Sequence, residues 1–66
     1  MRLTVNGKAS DVTDGTTMLD FLASLGLRPG SVVVEHNGTA LLRSELAAAV
    51  LADGDRLELV RAVAGG

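Results

Sequence analysis

Apolar and polar residues alternate at the start of the chain. Leu3 and Val5 are interleaved with Arg2 and Thr4, the period of a strand with one buried face. Asn6-Gly7 follows. This pair suits a type I′ two-residue turn because both central positions take positive φ, so Lys8 to Val12 is expected to return as a second strand. Asp14-Gly15 marks another turn. The period then changes: Met18, Phe21, Leu22 and Leu25 recur at spacings of three and four, which predicts a helix with one apolar face. Thr17 stands where an N-cap is needed, with Asp20 three residues on in the manner of a capping box. Gly26 is placed to end the helix in the left-handed conformation.

Three consecutive valines, Val32 to Val34, predict a strand buried on both faces, as central strands are. Asn37-Gly38 is a second turn pair, and "TALL" (residues 39–42) reads as a short edge strand. Ser44 is placed to cap a short helical segment, "ELAAAVL", with Leu46, Val50 and Leu51 inward. Asp53-Gly54 pivots into a last strand, "RLELV", whose Leu57 and Leu59 face the core while Arg56, Glu58 and Val60 face out. The order is strand, strand, helix, strand, short strand, short helix, strand. It predicts an α+β domain: a mixed sheet of four to five strands with one main helix packed on one face. The domain is expected over residues 1–60, with 61–66 as a flexible C-terminal tail.

Composition removes several classes of function. A chain of 66 residues is one domain and buries only about 60% of its unfolded surface. It has no cysteine, hence no disulfide, no thiolate nucleophile and no cysteine-based zinc site. Phe21 is the only aromatic and the net charge is −2, which argues against base stacking and phosphate-backbone binding and so against a nucleic-acid partner. No apolar run approaches the roughly 20 residues of a membrane span, and "MRLTVNG" carries no signal-peptide core, so a cytoplasmic protein is expected. One histidine, His36, and scattered carboxylates offer no nucleophile, base and orienter set. His36, beside a turn, reads as a surface or half-buried strand residue. Few large apolar groups remain outside the core, so the free protein is expected to be a monomer.

The last stretch, "LELVRAVAGG", asks for another explanation. Val60, Ala62, Val63 and Ala64 are apolar with no core left to join, and two glycines add no side chain to any core. From Val60 to Gly66 an extended arm reaches about 20 Å at roughly 3.3 Å per residue. Gly65 and Gly66 lack Cβ atoms, so a narrow channel can close around their backbone. Fraying is the plain alternative. Asp55 and Glu58, with Val60 and Ala62, form a candidate partner surface beside the arm. Asp53, Asp55 and Glu58 read equally as solvated turn and edge charges.

The residues "TVNG", "VVVEHNG" followed by "LRSE", "DGDRLELV" and the final "AVAGG" resemble the small sulfur carrier proteins of thiamin biosynthesis, the ThiS group, across the whole chain. The resemblance implies the ubiquitin-like β-grasp fold. It also implies a function in which Gly66 is the modified residue and Val63, Ala64 and Gly65 thread a partner's active site. An adenylating, E1-like enzyme uses ATP and Mg²⁺ to make an acyl-adenylate at Gly66. A persulfide donor protein then converts it to a thiocarboxylate, and the sulfur passes to thiazole synthase. On this reading the chain binds no cofactor itself and is a cosubstrate, not an enzyme. Two relatives in function stay open, a carrier for molybdopterin or another sulfur-containing metabolite and a ubiquitin-like protein modifier. A plain binding module with an inert tail is the bland alternative.

Overall fold

The computed structural model describes residues 1–62. Arg2–Val5 (β1) and Lys8–Asp11 (β2) form an antiparallel hairpin with Arg2 opposite Asp11 and Val5 opposite Lys8. Its turn is Asn6-Gly7, with φ of 49° and 82°, the type I′ geometry that matches the right-handed twist of strands. Helix α1 (Met18–Ser24) follows, then a 3₁₀ turn at Pro29–Ser31, β3 (Val32–His36), β4 (Thr39–Leu41), the short α2 (Arg43–Leu46) and β5 (Arg56–Arg61). Asn37-Gly38 closes the β3–β4 hairpin with the same pair of positive φ values, 52° and 87°. The five strands lie in the order β2-β1-β5-β3-β4. β5 runs parallel to β1 and antiparallel to β3. This is the mixed sheet of the ubiquitin-like β-grasp.

Helix α1 is short and held at both ends. The backbone N–H of Asp20 donates to Thr17 Oγ1 at 3.1 Å, a cap of the kind that contributes about 1 kcal/mol. At the other end Gly26, φ 73°, donates to the Ala23 carbonyl and Leu27 to the Leu22 carbonyl. Those are the two bonds of a Schellman motif. Leu27 then packs on the core. The helix lays Met18, Phe21 and Leu22 against Leu3, Val32, Val34 and Leu57 of the sheet, and Leu46 and Leu51 complete the buried cluster.

Several expectations are corrected here. The valine run is not buried on both faces: Val32 and Val34 are buried, and Val33 between them is 50% exposed. The helices cover one face only, so an antiparallel strand can leave alternate residues in water. The strand flanked by neighbours at the sheet's centre is β5. Leu25 lies past the helix as its C-cap and is exposed. Ser44 is inside the first turn of α2, whose N-cap is Leu42. There the Glu45 carboxylate accepts the Leu42 N–H, which is the acidic half of a capping box without a hydroxyl partner. Val50 is exposed and its backbone bridges to Thr17, while Leu51 beside it is buried in the core. β2 ends at Asp11, and Val12 continues the ladder by donating to the Met1 carbonyl.

Candidate functional site

Everything that could present the C-terminal segment hangs on β5. Its inward residues, Leu57 fully and Leu59 partly, are buried in the core. Its edges are held by two asparagines, both from the type I′ turns. Asn6 Oδ1 accepts the Leu59 N–H at 2.7 Å, and Asn6 Nδ2 donates to the Leu59 carbonyl at 3.2 Å. The Asn6 amide thus stands in for a peptide unit where β1 has ended. On the opposite edge Asn37 Oδ1 accepts the Arg56 N–H at 2.8 Å. Ala62 donates to the Ser31 carbonyl at 2.9 Å, so the chain is fixed to the 3₁₀ turn at its last described residue.

Val60 is 61% exposed and sits across from Val33 on the uncovered face of the sheet. Glu58 lies directly opposite Glu35 on the same face, both exposed. Like charges so paired cost stability in the free domain. They sit beside the exposed cross-strand pair Val33 and Val60. Ala62 is exposed as well. Of the expected surface residues, then, the structure places Val60, Glu58 and Ala62 together at the root of the tail.

Asp55 does not join them. It is 9% exposed, and its carboxylate is taken up internally. Oδ2 lies 2.8 Å from His36 Nε2 and accepts the Ala52 N–H at 2.8 Å, while Oδ1 accepts from Asn37 Nδ2 at 3.1 Å. His36, half-buried as expected, is therefore part of a clasp tying the β3–β4 hairpin to the turn before β5. Burial pushes the Asp55 carboxyl up, but the bonds from His36, Ala52 and Asn37 outweigh it and hold its pKa below the usual carboxylate value. A depressed carboxylate stabilises the fold above its unfolded pKa, and that stability is lost as pH falls through the folded value. Asp55→Ala should therefore lower stability at pH 7 by about 1–3 kcal/mol, the cost of stranding buried partners. Urea midpoints measured from pH 7 downward should show the gap between wild type and variant closing below about pH 4. A gap that stays constant into acid would mean the carboxylate is not what holds the clasp.

A cavity of about 330 Å³ opens beside the tail root, lined by Gly26, Leu27, Arg28, Ser31, Arg61 and Ala62. Sequence reasoning missed it because its arginines are far apart in the chain, and only the pairing of β5 with β3 brings Arg61 to Val32 and the turn. The clasp at Asp55 was missed for the same reason. The one signal in the sequence was an acid placed directly after a turn glycine. Val63, Ala64, Gly65 and Gly66, the residues expected to thread a partner and carry the modification, lie outside the described residues.

The ThiS family model matches residues 3–66 of the chain. Among solved structures, the crystal structure of the thiamine biosynthesis protein ThiS from Geobacter metallireducens is 36% identical, with a TM-score of 0.81 and complete coverage of both chains. The NMR solution structure of a thiamine biosynthesis protein from the same organism is also 36% identical, with a TM-score of 0.80, covering all of this chain and 88% of that one. The chain is also 35% identical over 66 residues to the thiazole synthase of Magnetococcus marinus and 33% identical to that of Paramagnetospirillum magneticum. It spans about a fifth, 20%, of the length of these curated relatives.

Proposed function

The chain belongs to the ThiS family, and on that premise we propose that it is a sulfur carrier of thiamin biosynthesis whose working group is the carboxyl of Gly66. The observation that carries the reading is the extent of the match. It runs through the Gly65-Gly66 pair itself on a chain whose fold follows ThiS of G. metallireducens over its whole length.

The chemistry follows from the group. A carboxylate resists attack by sulfur because oxide is a poor leaving group. An adenylating enzyme overcomes this by letting the Gly66 carboxylate attack the α-phosphate of Mg²⁺-bound ATP, which expels pyrophosphate and leaves an acyl-adenylate. Sulfide, or the terminal sulfur of a persulfide donor, attacks the acyl carbon and AMP departs. With sulfide the product is the thiocarboxylate directly. With a persulfide it is an acyl disulfide, which a thiol cleaves to the thiocarboxylate and a disulfide. This chain acts as cosubstrate. Its own contribution is β5, held at Leu59 by Asn6 and at Ala62 by Ser31, the strand from which the C-terminal segment continues.

Thiazole synthase is the acceptor we propose. Proteins of that name contain a segment resembling this whole chain, which favours the thiazole branch over molybdopterin or protein modification. The reading requires a free carboxyl at Gly66. Purified protein incubated with a ThiS-adenylating enzyme, ATP and sulfide should gain the mass of one sulfur in place of one oxygen, mapped by fragmentation to Gly66. An unchanged intact mass, with the enzyme shown active on another ThiS, counts against the carrier function.

A further inference from the structure

The chain has five arginines, Arg2, Arg28, Arg43, Arg56 and Arg61, and three of them gather around the 3₁₀ turn. Arg28 and Arg61 line the cavity beside Ala62. The Arg43 guanidinium lies over Gly30, where an added Cβ would stand 3.3 Å from Cζ and Nη1. Arg2, by contrast, is spent on Asp11 at 2.9 Å. Among the described residues neither Arg28 nor Arg61 makes an ion pair. Among the described residues the cavity lining holds two arginines and Ser31 and no acidic residue, although acids outnumber bases in the chain as a whole, eight to six. A cationic hollow in an acidic protein, beside the residue from which the C-terminal segment departs, is a local charge arrangement that the fold itself does not use.

We propose that this cavity receives a carboxylate-bearing segment of the protein that takes the tail. The proposal rests on the carrier reading in one respect, that a partner encloses residues 63–66. Any protein closing around that segment must also cover Ala62, and with it Arg28, Ser31 and Arg61. Guanidinium forks pair with carboxylates through two parallel N–H···O bonds, which fix orientation as well as adding attraction. Ser31 Oγ supplies a further donor. The nucleotide consumed in activation is a poor occupant. Its α-phosphate reacts at Gly66, four residues past Ala62, a stretch that an extended chain spans as about 13 Å. The anion assigned to the cavity is a carboxylate of the partner polypeptide. The like-charged Glu35–Glu58 pair lies on the opposite, uncovered face of the sheet from Arg61 and takes no part in the cavity.

The test needs no sulfur chemistry, so its failure is distinct from failure of the carrier reading. Isotopically labelled protein is titrated at low salt and pH 7 with a hexaglutamate peptide, with hexalysine and with inorganic phosphate, and amide and arginine Nε–H resonances are followed. Hexaglutamate should shift Leu27, Arg28, Ser31, Arg61 and Ala62. The R28E/R61E double variant, altered at two exposed positions, should keep the remaining spectrum and weaken binding by about tenfold or more. Raising the salt to several times the level at which the Debye length is about 10 Å should weaken it also. Hexaglutamate shifts that miss the cavity, or that survive in R28E/R61E, overturn the proposal. So does phosphate producing the same shifts at lower concentration than the peptide, which would make this a small-anion site.

Discussion

Deleting Gly66 should abolish thiocarboxylate formation while leaving the melting curve of the domain in place. The two halves of this expectation have separate causes. Among the described residues every buried residue of the core falls between Leu3 and Leu57, a terminal glycine has no side chain to add to it, and a change outside the core is normally within about 0.5 kcal/mol in stability. For the chemistry the deletion is severe. It leaves a carboxylate on Gly65, but one residue short, roughly 3.3 Å from where the acyl carbon belongs. A displacement of about 1 Å already costs on the order of 10²-fold in a positioned reaction, so the expected loss exceeds about 10³-fold. Adding one residue after Gly66 should be as damaging for a different reason, because the Gly66 carbonyl becomes an amide and the new carboxylate overshoots. Pyrophosphate exchange catalysed by the adenylating enzyme reads the first step, and intact mass reads the second. A truncated chain that still exchanges pyrophosphate at the full rate would falsify the assignment of Gly66 as the reacting residue.

What the sequence disclosed, and what it hid, divides along physical lines. Local signals were legible. Asn-Gly pairs demanded positive φ and produced both hairpin turns, the three-four spacing of Met18, Phe21 and Leu22 made the helix face, and Thr17 and Gly26 bounded it. The alternation in "RLELV" put Leu57 in and Glu58 and Val60 out. Signals that depend on which strands become neighbours were not legible. The valines of β3 would have been buried on both faces had a second layer covered the sheet. Nothing in three adjacent valines says whether one does, and Val33 stands in water. Asp55 reads as a turn acid until β3 brings His36 and Asn37 to it. The family resemblance rested on strand–turn segments such as "VVVEHNG" and "DGDRLELV" and on the final "AVAGG", stretches that are contiguous in the chain. The clasp and the arginine cavity are tertiary.

The largest effect on the fold is expected from Leu57→Ala. Leu57 is wholly buried on the central strand, in register with Val5 of β1 and His36 of β3, and its carbonyl accepts the Asn6 N–H at 2.9 Å. Truncating such a leucine costs about 2–5 kcal/mol, more where the walls cannot collapse. Strands fixed on both sides give little room to collapse. A domain of 66 residues has only about 3–10 kcal/mol in hand at the usual 0.05–0.15 kcal/mol per residue. The variant should therefore be largely unfolded at 37 °C, or show a urea midpoint less than about half that of wild type with an unchanged slope. Val60→Ala, three residues further along β5 but on the open face and 61% exposed, should move the midpoint hardly at all, by about 0.5 kcal/mol or less. The comparison separates the strand's two duties. A Leu57 variant should lose the proposed carrier function, because an unfolded β5 no longer holds the start of the C-terminal segment. A Val60 variant that stays folded yet is a poorer substrate for the adenylating enzyme, with KM raised and kcat kept, would locate the cost in docking. If both variants unfold alike, the exposed face of β5 is part of the core and has been assigned to the wrong side of the sheet.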